Sequence, residues 1–403
     1  MKIILALISL LILALLGSHS IRSRWKLPTP VRRLFDNALI FIGVGVAIGP
    51  AGVNLIGDDA LEKLGPIIVI SLGWIGFLFG VHLEWRRMRR LTSRIWMAAM
   101  GQAALTVGLV FFATYWFFHT WMPTTAQLPA ALAATIALAA CAGGTAPNTV
   151  FQLGGRPRFV GEIAQSLRII AVIDDLPGLL LFGVFFSFFP GSFGADAAFW
   201  PGVAWLGMTV MLGVLFGLLL KSLLVLARGE QAVWVAVFGV ISLASGLASY
   251  LNLSPIFVGA IAGVTFANIS GQKETVYEVL ASSETTIYVL FLVLVGCLWS
   301  FDTMYLLPLV LLYVGARTLG KVVGVGVGYR LLGAPVGRER LGGLGLLGQG
   351  GIAIALAVNY ARVFTSNVSS LVLTALIFGV LINEVLGPVL ATIPFGAGRG
   401  GRR

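Results

Sequence analysis

The chain has 403 residues, 58% of them hydrophobic and only 11% charged, with a formal net charge of +11. A soluble globular protein carries about 25% charged residues, so water is not the solvent of most of this chain. Its basic residues sit between apolar runs and form no face with interleaved aromatics, which excludes nucleic acid as the reason for the charge.

A helix needs about 20 apolar residues to cross the hydrocarbon core, and runs of that order recur from end to end. Thirteen spans are predicted. The first, Ile3 to Gly17, follows Lys2 and precedes Ser18-His19-Ser20, a pattern that also fits a cleavable signal peptide. Its removal would start Arg22, Arg24, Lys26, Arg32 and Arg33 outside and set the next span against the positive-inside rule, so a retained helix is expected. The second and third spans are Asn37 to Ile48 and Leu64 to Val81, and Arg86, Arg87, Arg89, Arg90 and Arg94 lead into the fourth, Ile95 to Phe118.

The fifth span, Leu128 to Phe151, is interrupted by Gly143-Gly144-Thr145-Ala146-Pro147-Asn148. The sixth, Phe159 to Phe188, carries Asp174 and Asp175 roughly 20 Å along its axis, near the bilayer middle. Ionisable groups at that depth are costly and mark function by default, and two adjacent carboxylates do so strongly. Pro177 has no N–H to offer Ile173, whose carbonyl is freed beside the acids; a simple packing kink reads the same way.

The seventh to tenth spans are Val203 to Leu226, Val233 to Leu251, Pro255 to Ala267 and Thr285 to Leu298. The eleventh, Tyr305 to Tyr329, holds Arg317 and Lys321, with Gly324, Gly326 and Gly328 read as packing residues; for Arg317 a pinning ion pair, snorkelling and a transport role all stay open. The twelfth, Leu341 to Tyr360, is interrupted by Gly348-Gln349-Gly350-Gly351, and the thirteenth, Val368 to Leu390, contains Glu384. Cys141 and Cys297 lie inside spans without metal-ligand spacing and read as small buried hydrophobes.

Lys and Arg follow the odd-numbered spans: Arg156 and Arg158, Lys221 and Arg228, Lys273, then Arg330, Arg338 and Arg340, and finally Arg399, Arg402 and Arg403. The other side shows only Lys2, Lys63 and Arg362, which predicts the N-terminus outside and the C-terminus in the cytoplasm. Glycine-rich breaks at matching places in two halves point to crossed, broken helices at a midplane site, since exposed backbone is tolerated only where it lines a cavity. Each break is followed by a span carrying acid. An intramembrane aspartyl protease would need two carboxylates sharing one proton, and neighbours on one helix diverge by about 100°. A cation channel remains as an alternative class.

Several strings resemble one family: Ile48-Gly49-Pro50-Ala51-Gly52, Ala171-Val172-Ile173-Asp174-Asp175 with Gly178, Ser254-Pro255 opening Val258-Gly259-Ala260-Ile261-Ala262-Gly263, and Leu294-Val295-Gly296. Arg317 through Gly320-Lys321 to Gly348-Gln349-Gly350-Gly351, and Glu384-Val385-Leu386-Gly387-Pro388, are similar too. Together they look like the cation:proton antiporter superfamily, in the bacterial branch with sodium/proton antiporters and Kef-type potassium efflux systems. The resemblance implies an all-α polytopic fold of about thirteen transmembrane helices, with inverted repeats, two crossed broken helices, a mobile core domain and a dimerisation domain. It implies a secondary transporter in a bacterial inner membrane, surrounded by lipid, homodimeric, without cofactor, exchanging sodium (or potassium or lithium) for protons. Residue by residue, Asp175 would bind cation and proton in turn, Asp174 would join it as a ligand of the monovalent cation and pair with Lys321, and Thr145 would help to line the site. Glu384, Asn148, Gln349 and Arg317 would be structural or gating groups. Residues 1–403 would form one transporter domain without a soluble regulatory part. Pro177 and the Gly-Gly-Thr-Ala-Pro-Asn break depart from the usual pattern and bear on which cation is carried.

Overall fold

The structure, a computed structural model, describes residues 10, 39–91, 93–122, 128–146, 169–171, 173–188, 199–299, 304–331, 338–364 and 367–390. Apart from Leu10, the first predicted span lies outside the described residues, as do Asn148 and the basic C-terminal tail. In chain order the α-helices are α1 (Leu39–Ile48), α2 (Asp58–Lys63), α3 (Gly65–His82), α4 (Trp85–Met88), α5 (Ser93–Trp121), α6 (Leu128–Gly143) and α7 (Asp175–Phe188). They continue with α8 (Phe199–Leu226), α9 (Glu230–Tyr250), α10 (Pro255–Ile269), α11 (Lys273–Cys297), α12 (Leu306–Leu331), α13 (Gly351–Val363) and α14 (Asn367–Leu390), with a 3-10 segment at Arg338–Leu346 before α13. Among the described residues eight helices are long and apolar enough to cross a membrane, and Ala130–Gly143, Pro255–Ile269 and Gly351–Val363 are shorter apolar helices. Lipid offers backbone groups no hydrogen bonds, which is why these sequences close their own as helices.

The chain divides into two compact units, one made of Met1–Trp85 with Val203–Asp302 and the other of Arg86–Gly202 with Thr303–Arg403. In the first unit α3 packs on α10 through glycine. A Cβ on Gly76 or Gly80 would strike the carbonyl of Ile256 or Ala260, and one on Gly259 or Gly263 would strike that of Gly73 or Phe77. Such small-residue seams let helix backbones touch where no hydrophobic effect drives association. Trp74 of α3 lies against Trp234 and Phe238 of α9, with ring centroids 6.3 Å apart in both pairs. At the end of α3, Glu84 pairs with Lys273 at 2.5 Å, while the Asn268 carboxamide accepts from the Trp85 N–H at 2.7 Å and donates to the Leu83 carbonyl at 3.2 Å.

Helix α11 begins at Lys273, well before the predicted Thr285. Glu274, Glu278 and Glu284 read as a break in an apolar run, but they are good helix formers standing on the exposed side, while Val276, Val279, Leu280 and Ser283 are buried.

In the second unit a glycine seam joins α12 to α5, with Gly320 against Thr106, Gly324 against Gln102 and Gly328 against Ala98. Of the glycines read as packing residues, Gly326 meets nothing. The predicted fifth span stops as a helix at Gly143, and the twelfth is divided into the 3-10 segment, a non-helical stretch 347–350 and α13. The two interruptions meet, because the Ala146 N–H donates to the Gly348 carbonyl at 2.9 Å.

Candidate functional site

The second unit gathers the charged residues of its spans at these two interruptions. Ending α6 at Gly143 leaves its last carbonyls without intrahelical donors, and such groups cannot stay unpaired when buried. Helix α12 supplies the donors. Tyr313, Arg317 and Lys321 recur every four residues and so share one helix face. Arg317, fully buried, donates through Nε to the Ala142 carbonyl at 3.1 Å and through Nη2 to that of Gly144 at 2.7 Å. It also reaches the second interruption, with Nη1 2.6 Å from the Leu347 carbonyl and Nη2 3.4 Å from that of Leu346. One guanidinium thus ties both breaks together through its planar fork of donors. The geometry displays carbonyl capping, a role outside those the sequence left open for Arg317.

One turn further along, Lys321 is also 0% exposed. Its ammonium donates to the Gly143 carbonyl, to Thr145 Oγ1 at 2.9 Å and to Asp174 Oδ2 at 2.7 Å, which uses all three of its protons. Asp174, the residue before α7, accepts in addition from the Thr145 N–H at 3.1 Å on Oδ1. The Thr145 hydroxyl lies 2.7 Å from Asp174 Oδ2 and 3.1 Å from the Leu346 carbonyl. Asp174 is therefore enclosed by donors and balanced by one ammonium. A buried ion pair is tolerable only in such a fully bonded setting.

Asp175 starts α7 about 100° round the helix from its neighbour and is half-buried. Its Oδ1 rests against Gly144 so closely that a Cβ there would overlap the oxygen. Gly178, one turn on, brings α7 against the Ala140 carbonyl of α6 in the same way. Asp175 feels the charges of Asp174, Lys321 and Arg317, but Lys321 is committed to Asp174.

Gln349 anchors the second break, donating to the Cys141 carbonyl at 2.9 Å and to the Tyr313 hydroxyl at 2.8 Å, and accepting from Asn383 Nδ2 at 3.0 Å. Glu384 accepts from the Gln349 backbone N–H and lies within the field of Arg317, while its Oε2 is buried without a hydrogen-bond partner. Asp174, Asp175, Thr145, Lys321, Arg317, Gln349 and Glu384 are thus brought together; Asn148 falls outside the described residues. Sequence reasoning missed Tyr313, Asn383 and the capped carbonyls. The four-residue spacing of Tyr313 from Arg317 was the available signal for the first.

Two cationic side chains, Arg317 and Lys321, thus stand among three carboxylates, Asp174, Asp175 and Glu384, in the described residues of this site. Uncompensated charge is expensive away from water, so the cluster has room for one more positive charge. A proton on a carboxyl or a bound cation would satisfy that need equally. Among the described residues no group of three or more His, Cys, Asp and Glu is placed to hold a metal ion.

A family model described as sodium/hydrogen exchanger, transmembrane, matches residues 7–392 of the chain. No curated protein matches the sequence. Among solved structures, the chain is similar to the sodium proton antiporter MjNhaP1 from Methanocaldococcus jannaschii at pH 8, with TM-score 0.66 and 18% identity over 98% of this chain and 100% of that one. An electron-microscopy structure of the same antiporter gives TM-score 0.68 and 17% identity, covering both chains completely. At these identities the likeness is one of fold, and the match to the family model covers nearly the whole sequence.

Proposed function

The chain belongs to the sodium/hydrogen exchanger family, and from that premise we propose that Asp175 carries the exchanged cation and the proton in turn. The family makes the protein a membrane transporter and not an enzyme, and its traffic is sodium against protons. The observation that carries the assignment to Asp175 is the charge balance of the site, two fixed cations against three carboxylates. A desolvated carboxylate is favoured in its neutral, protonated form, and a nearby cation reverses the preference. Binding one therefore releases the other, which is the coupling an exchanger requires. Asp174 is held by Lys321 and Thr145, and Arg317 and Gln349 hold the breaks in place. Glu384, within the field of Arg317, serves a structural or gating role.

A test is to reconstitute the full chain in proteoliposomes with an acidic interior and add sodium outside. The lumen should become alkaline on sodium addition. Equal proton movement with and without sodium would remove antiport, and sodium entry without proton movement would favour the channel reading.

The close seat of Asp175 on Gly144 gives a second expectation. Gly144→Ala adds a methyl where Oδ1 now lies, so the carboxylate must move. Misplacing a reacting group by about 1 Å can cost on the order of a hundredfold in rate. Transport should fall on that order while thermal stability stays near the parent's. Unchanged exchange by Gly144→Ala would mean that this oxygen's position does not matter.

The single transporter domain over residues 1–403, the homodimer and the bacterial inner-membrane setting with the N-terminus outside belong to the same reading. The alternation of Lys and Arg between successive loops supports that orientation.

A further inference from the structure

Helices α8 and α9 of the first unit are both long and apolar enough to cross a membrane, and the short turn of residues 227–229 joins them. Leu220 and Leu224 of α8 join Val233 and Val237 of α9 in one buried cluster. The outer sides of the two helices stay apart. Leu219, Leu223 and Leu226 recur along one face of α8, and Val235, Gly239 and Leu243 along one face of α9. Between these faces runs a groove of about 600 Å³, apolar throughout except for Gln231 at the turn end. Leu226 and Val235 stand 78% and 72% exposed along it, and a Cβ on Gly239 would meet no atom within 4 Å.

The dimensions of the groove select its occupant. From Gln231 to Leu243 the rise, at about 1.5 Å per residue, is roughly 18 Å, close to one leaflet of a hydrocarbon core about 30 Å thick. A volume of about 600 Å³ spread over that length is a channel roughly 6 Å across, about half the width of an α-helix with its side chains. An acyl chain fits it and a helix of another protein does not.

The mouth carries charge of both signs. Arg228 and Glu230 flank Gly229, whose φ of +86° lies in the left-handed region that favours glycine. Both side chains are exposed, and among the described residues neither has an ion-pair partner. Lys221 lies about 200° round α8 from Leu219, away from the groove. A matching molecule therefore has an apolar chain about one leaflet long, an anion, and beside the anion a cation that can donate hydrogen bonds.

We propose that the groove seats one phosphatidylethanolamine molecule, with one acyl chain between α8 and α9, its phosphate on Arg228 and its ammonium on Glu230. A guanidinium takes phosphate through paired N–H bonds, and a carboxylate takes an ammonium through charge-assisted ones. A choline headgroup has no N–H to offer Glu230, and a glycerol headgroup brings no cation. On the orientation proposed above, the lipid comes from the cytoplasmic leaflet.

The test exposes the purified full chain in detergent to equal amounts of phosphatidylethanolamine, phosphatidylcholine and phosphatidylglycerol with identical acyl chains, and counts retained lipid by native mass spectrometry. Phosphatidylethanolamine should be retained about fivefold over each of the others, the scale of one exposed ion pair. Glu230→Gln, a change at an exposed position, should erase that preference. Gly239→Phe places a ring in the open groove and should lose the retained lipid. Equal retention of the three lipids by the parent, or an unchanged preference in Glu230→Gln, overturns the proposal. A parent that retains no lipid and is dimeric, beside a monomeric Gly239→Phe, also overturns it and makes the groove a seat for a second copy of the chain.

Discussion

Asp175→Asn is expected to fold and insert like the parent and to exchange nothing. The amide has the shape of a carboxyl and fits the same seat against Gly144, so packing is preserved. It removes a charge that has no ion-paired counter-charge among the described residues, whereas Asp174 is committed to Lys321. An amide neither gives up a proton near neutral pH nor balances a monovalent cation, so both half-cycles stop. The same substitution at Asp174 should behave differently. There it leaves the Lys321 ammonium buried without its counter-charge, and removing one partner of a buried pair costs about 3–5 kcal/mol. Asp174→Asn should consequently lower thermal stability, while Asp175→Asn should hold it or raise it. Sodium-dependent proton movement by Asp175→Asn in proteoliposomes, at more than a few per cent of the parent rate, would take Asp175 out of the mechanism.

Arg317→Met should be among the most destabilising changes in the second unit. Methionine fills much of the stem's volume but supplies no donor, leaving the carbonyls of Ala142, Gly144 and Leu347 without their partners in a buried setting. Each unsatisfied carbonyl costs about 1–3 kcal/mol, so a loss of several kcal/mol is expected for the set. Arg317→Lys should recover little, because an ammonium lacks the planar fork that spans two breaks at once. Thermal unfolding in detergent, followed by tryptophan fluorescence, reads the effect directly. A midpoint for Arg317→Met within a degree or two of the parent's would show that the breaks are held by something else.

That Asp174 and Asp175 belong to a cluster with Lys321 and Thr145 was legible because charge inside an apolar run is so costly that its presence states a purpose. The two breaks were legible as clusters of glycine, the residue that interrupts a helix at least steric cost. Which aspartate is locked and which is open was not, in terms of residues alone, since adjacent positions on one helix face different neighbours. That distinction depends on Thr145 and Lys321 arriving from other helices. Arg317 left several roles open for the same reason. An arginine in a span advertises its charge, while here its geometry as a five-donor fork is what the fold uses. The start of α11 was misjudged because hydropathy weighs each glutamate by its cost in lipid and ignores the side of the helix on which it stands.

The backbone contact of α3 with α10 also bears on how this sequence can change over time. Where side chains interdigitate, a substitution on one helix can be accommodated by another rotamer or a smaller partner across the interface. At Gly76, Gly80, Gly259 and Gly263 the opposing atoms are main-chain carbonyls, which every amino acid carries alike. No second substitution on the facing helix can restore the room that an added methyl removes. These positions therefore lack compensating partners, and a drifting lineage can leave glycine there only by moving the two helices apart.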